Sequence, residues 1–125
     1  MKAGDTFLLR DRRVGSHLWI VISDPELDAE RVIMVSMTSY EMYKEDVCLL
    51  NVGDHPWIDH KTCIAYDEAR MTTLERLQVL TDANSLCKLP PVSSEILRRI
   101  RKGVSKSTRI EFKYIDILIE QGVVD

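Results

Sequence analysis

The chain has three histidines, and each sits where an imidazole could move a proton or hold an ion. His17 stands where the polar segment Asp11-Arg12-Arg13-Val14-Gly15-Ser16 meets the apolar run His17-Leu18-Trp19-Ile20-Val21-Ile22-Ser23. An imidazole titrates at about pH 6.5 in ordinary surroundings, so it can act there as general acid or base. The plainer reading makes it the polar edge of a strand. His55 and His60 flank Pro56-Trp57-Ile58-Asp59 in a segment opened by the turn-forming pair Gly53-Asp54. Two histidines beside carboxylates suggest a metal, but zinc needs three or four convergent ligands and no third has a supporting spacing. Neither a metal nor a cofactor is expected. Exposed loop side chains are one reading of His55 and His60. In a nuclease, one of them would be the proton-transfer partner of His17. Trp57 would then offer a base a stacking surface worth ~1–3 kcal/mol.

Phosphate chemistry also needs a fixed cation. Arg12 and Arg13 lie five and four positions before His17, and Lys61 and Arg70 are further candidates. The densest basic group is Arg98, Arg99, Arg101, Lys102, Lys106, Arg109 and Lys113. It reads as the solvent face of a helix pair, as an RNA track, or as a docking surface for an acidic protein segment. Net charge is −3, so bulk electrostatics does not hold this chain on nucleic acid, and any contact needs a local patch.

These side chains must be positioned by a small core. With 125 residues, 45% apolar and 30% charged, the chain reads as one folded domain, 1–125. No run approaches the ~18 apolar residues of a membrane-spanning helix. The first residues lack the apolar stretch of a secretory signal, so no membrane contact and a cytoplasmic location are expected. Cys48, Cys63 and Cys87 are odd in number and form no C-x-x-C pair, which reads as buried free thiols.

Thr6-Phe7-Leu8-Leu9, His17–Ser23, Arg31–Met37, Val47-Cys48-Leu49-Leu50 and Thr62–Tyr66 read as strands, the last closed by Asp67-Glu68. Several short strands joined by turns indicate a curled sheet or barrel over 4–80. Leu74 to Leu86 fits either a short helix or a last strand. Beyond Pro90-Pro91, residues 90–122 read as a helical extension. Ser93-Ser94 starts one helix with Ile96, Leu97, Ile100 and Val104 on a face. Ser107-Thr108 caps another that carries Ile110, Tyr114, Ile117, Leu118 and Gln121 and stops at Gly122.

Gly4-Asp5-Thr6-Phe7-Leu8-Leu9, Gly15–Ser23, Val35-Ser36-Met37-Thr38-Ser39 and Thr62–Met71 occur in an order that resembles the MazF/PemK toxins of toxin–antitoxin pairs. The resemblance covers roughly residues 4 to 80 and is one of segment order and strand texture. It implies an α+β fold, a small SH3-like curled β-barrel with C-terminal helices. It also implies a homodimer that cleaves single-stranded RNA without a metal, by attack of the ribose 2′-OH, and that is bound by an antitoxin protein. The family's third strand ends in a hydroxyl pair, matched here by Thr38 and Ser39. Its members carry an Arg-Pro just after the glycine before the second strand, where this chain has His17-Leu18. The resemblance therefore implies either that His17 or another group has taken the arginine's role, or that the domain is a non-catalytic binding module for protein or nucleic acid.

Overall fold

The computed structural model describes residues 1–11 and 15–125. Six strands form one antiparallel sheet: β1 (Thr6–Asp11), β2 (Gly15–Val21), β3 (Val32–Ser39), β4 (Leu49–Leu50), β5 (Thr62–Thr72) and β6 (Leu86–Leu89), in the order β4-β5-β3-β2-β1-β6. Helix α1 (Leu74–Asp82) lies between β5 and β6, and α2 (Ser94–Val104) and α3 (Phe112–Glu120) follow. The α+β class is as expected. The sheet, however, is not closed into a barrel: among the described residues β4 and β6 pair on one side only.

Helical cover on both faces explains why β2 and β3 read as continuous apolar runs rather than alternating ones. On one face Leu18, Ile20, Ile33, Val35, Met37, Ile64 and Tyr66 pack under Ile96, Ile100 and Val104 of α2 and Tyr114 and Leu118 of α3. On the other, Phe7, Trp19, Val21, Val32 and Met34 pack with Leu77 of α1 and Leu86 of β6. No helix among the described residues is long and apolar enough to cross a membrane.

One open segment is resolved and two expectations are corrected in detail. The segment from Leu74 to Leu86, which fits helix or strand, is a helix that then enters a strand; Thr73 caps it by accepting from the Arg76 N–H. Asp67-Glu68 does not close β5. The strand bends there, with Met34 opposite Arg70 and Ser36 opposite Ala65, so four residues of β5 face the single Val35. Ser107 and Thr108 do not cap α3, whose N-cap is Glu111. Their hydroxyls are taken by the Glu45 carboxylate instead, at 2.6 and 3.4 Å. Ser93 does cap α2 as expected, and Gly122 follows α3 with φ +75°, a conformation glycine adopts readily.

Candidate functional site

Strand alternation puts His17 and Trp19 of β2 on the α1 face, together with Ser36 and Thr38 of β3. Leu18 pairs with Met37, so the next position along the ladder brings His17 level with Thr38, and Thr38 in turn pairs with Cys63 of β5. His17, Thr38 and Cys63 thus stand in a row across three neighbouring strands. They line a cavity of about 320 Å³ with Ala65, Asp67 and Glu68 of β5, Tyr43, Lys44 and Glu45 of the β3–β4 loop, and Arg109.

Polar partners hold the rim in place. The Lys44 Nζ donates to Thr38 Oγ1 at 2.9 Å and to the Ser39 carbonyl at 2.7 Å. With Lys44 supplying a hydrogen to its oxygen, the Thr38 hydroxyl keeps its own proton to donate. Ser36 Oγ donates to Glu68 at 3.3 Å, which steadies that carboxylate beside the cavity. Arg109 is tied to the loop through the Tyr43 carbonyl at 3.0 Å, and the Glu45 carboxylate accepts from the Thr108 N–H at 2.9 Å. Burial pushes the Cys63 thiol up, against a smaller downward pull from Lys44. Cys63 is therefore a neutral wall of the cavity at neutral pH and not a thiolate nucleophile.

The expected site residues separate into groups. His17 and Thr38 come together. Ser39, one residue on, turns to the opposite face, where its Oγ lies 2.6 Å from His60 Nε2. His60 Nδ1 is hydrogen-bonded to the Asp59 carboxylate, which can only accept, so Nδ1 carries the ring proton and Nε2 accepts from Ser39. Ser39, His60 and Asp59 are all exposed and none lines the His17 cavity.

His55 is neither an exposed loop side chain nor a neighbour of His17; it is 3% exposed. The Trp57 N–H donates to its Nδ1 at 3.1 Å, which leaves the proton on Nε2 to donate to the Pro90 carbonyl at 2.6 Å. The ring pins the β4–β5 loop to the end of β6. Trp57 is partly exposed in that loop, away from the cavity lining. Lys61 lies over the Tyr40 ring at 5.2 Å and Arg70 over the Trp19 ring at 4.9 Å, so both cations are engaged by aromatic faces outside the cavity. Arg12 and Arg13 lie outside the described residues. Of the thiols, Cys48 and Cys63 are buried but Cys87 is exposed, which corrects that expectation. Among the described residues no three His, Cys, Asp or Glu side chains gather as a metal site requires.

Lys44, Asp67, Glu68 and Tyr43 were not legible as site residues in the sequence. Lys44 sits in the mixed-charge stretch Glu41-Met42-Tyr43-Lys44-Glu45-Asp46, which has no periodicity. Glu68 reads as the end of a strand and owes its position to the bend in β5.

Fold and site together define an α+β domain with an open six-stranded antiparallel sheet and a polar cavity at the end of its central strands. Compared with known proteins, the chain matches no family model and no curated sequence.

Proposed function

We propose that the protein is a metal-independent endoribonuclease of the MazF/PemK toxin kind, built on an open, bent variant of their SH3-like sheet. The observation that carries this reading is the His17–Thr38 row in an open cavity whose rim holds Lys44, Arg109 and Glu68. Cleavage through the ribose needs a base for the 2′-OH, an acid for the departing 5′-oxygen, and cations for the crowded phosphorus. Glu68 and His17 form the proton-transfer pair. Lys44 and Arg109 supply charge, and Thr38 donates to a phosphoryl oxygen. As the 2′-oxygen bonds to phosphorus, its proton passes to the pair; the P–O5′ bond breaks and the 5′-oxygen takes up a proton. The products are a 2′,3′-cyclic phosphate and a 5′-hydroxyl.

In this reading Lys44 and Arg109 replace the Arg of the family's Arg-Pro. An antitoxin partner, a homodimer and a cytoplasmic location belong to the same proposal, and light scattering on eluted protein tests the dimer. The test of function is cleavage of single-stranded RNA in excess EDTA. Activity should persist in the chelator and vanish in His17→Ala. Folded wild-type protein that leaves varied RNAs intact for hours ends the proposal.

The absence of Arg-Pro favours a second reading, a non-catalytic binding module. That reading expects partner binding to survive joint replacement of His17 and His55 by Ala, measured on the folded fraction because His55 is buried, with no cleavage by any form.

A further inference from the structure

Apart from Arg109, the basic cluster on α2 and the segment after it is unused by the site as described. Between Ser94 and Arg109 the chain carries six basic side chains and one acidic one, in a protein whose net charge is −3. Among the described residues only Arg99 of these six forms an ion pair, a long one to Asp54 at 3.9 Å. Arg98, Lys102, Lys106 and Arg109 are exposed. Arg101 is held by backbone carbonyls, Nε to Ile22 at 2.7 Å and Nη2 to Ser23 at 3.4 Å.

Two cavities adjoin along this surface, and a third, on the opposite face of the sheet, touches the same stretch of chain at Arg109. The first, about 440 Å³, is lined by Arg98, Arg101 and Lys102, with Asp125 as its one carboxylate. The second, about 180 Å³, is lined by Lys102 and Lys106 together with Arg99, with no acidic side chain among the described residues. The third is the His17 cavity, whose lining includes Arg109 and Lys44 and the carboxylates of Glu45, Asp67 and Glu68. Lys102 is common to the first two, and Lys106 and Arg109 continue the line. One helical turn, ~5.4 Å, separates Arg98 from Lys102 on α2, and Lys106 and Arg109 lie in the segment that follows the helix.

We propose that this line is a track for the backbone phosphates of single-stranded RNA, leading into the His17 cavity; the proposal rests on the ribonuclease reading. Charge complementarity alone would also admit an acidic peptide. Arg109, three residues after Lys106, lines the His17 cavity and so joins the line to the site, which favours RNA, as does Tyr43, which lines the same cavity, is 71% exposed and offers a base a stacking face.

The test is fluorescence anisotropy with 2′-O-methyl RNA of about twelve nucleotides, which binds but lacks the attacking hydroxyl. The wild type is compared with R98Q/K102Q/K106Q over a salt series. Affinity should fall by about tenfold or more, and the log–log salt slope should become shallower by about 2, the value for three phosphate contacts on a single strand. Unfolding midpoints verify that the variant is folded, and the single variant K106Q, expected to lose about a third of the slope change, serves if the triple variant is not. Cleavage of a dinucleotide, too short to reach the track, should be unchanged. Unchanged affinity and slope overturn the track. A glutamate peptide of equal charge spacing that binds this face in preference to RNA overturns the choice of partner. If binding responds as expected but no form cleaves, the nuclease reading fails and the track stands.

Discussion

Replacing Gly103 by Ala sets helix propensity against packing, and the structure decides the sign. Gly103 is the penultimate residue of α2, where alanine gains at most ~1 kcal/mol over glycine. A Cβ placed there would lie 2.1 Å from Tyr66 Oη, 2.9 Å from its Cζ and 3.1 Å from Val47 Cγ1. Tyr66 cannot swing into solvent, because it is 1% exposed and its hydroxyl donates to the Ile100 carbonyl at 2.7 Å. Either α2 moves off the sheet or the phenol loses its partner. Overpacking costs ~1–3 kcal/mol, and a buried hydroxyl without a partner a similar amount. The net expectation for Gly103→Ala is destabilisation by about 2–4 kcal/mol. In urea, followed by the fluorescence of Trp19 and Trp57, the midpoint should fall by roughly 1–2 M. Tyr66→Phe removes the nearest clashing atom, so in that background the alanine should cost about 1 kcal/mol less. An unchanged or higher midpoint for Gly103→Ala would refute the packing argument, because propensity would then have won.

His55→Ala should lower stability by about 2–4 kcal/mol, since it empties a buried site, strips the Trp57 N–H of its partner and leaves the Pro90 carbonyl with only the Thr6 hydroxyl. Its cleavage per folded molecule should not change; lost activity at full stability would return His55 to the chemistry. Thr38→Val should slow cleavage about 100-fold, as when one positioned donor is removed from a reacting centre. Ser39→Ala, on the opposite face, should leave it within about twofold; the reverse ranking contradicts the assignment. Burial raises the Cys48 and Cys63 thiols and the Tyr66 phenol above their unfolded values. Their contribution to stability is thus intact below the unfolded values and lost as pH climbs through the folded ones. The urea midpoint should hold steady near neutrality and fall above about pH 9, and a flat profile to about pH 11 would sink this point.

Strand texture was legible because β2 and β3 are covered on both faces, which leaves long apolar runs and little ambiguity. The helix start at Ser93 and stop at Gly122 were legible because capping chemistry is local. The open sheet was not, since closure depends on whether β4 and β6 meet, and Leu49–Leu50 alone carries no such signal. The row of His17 and Thr38 follows from antiparallel register once β2 and β3 are adjacent. Register cannot assign His55, whose burial depends on Pro90, 35 positions further on. Nor could any spacing have shown that Ser107 and Thr108 serve Glu45 across 62 and 63 positions and not the helix that follows them. Lys44 and Glu68 reached the cavity through a loop and a strand bend, neither of which has a period to read.

The most direct measurement uses a DNA strand carrying a single ribonucleotide, incubated with the protein in excess EDTA. Scission should occur only after that ribose and leave a 2′,3′-cyclic phosphate, with His17→Ala inert. Cutting of the all-deoxy strand, products ending in a 5′-phosphate, or equal cleavage by His17→Ala would contradict 2′-OH attack in the His17–Thr38 cavity.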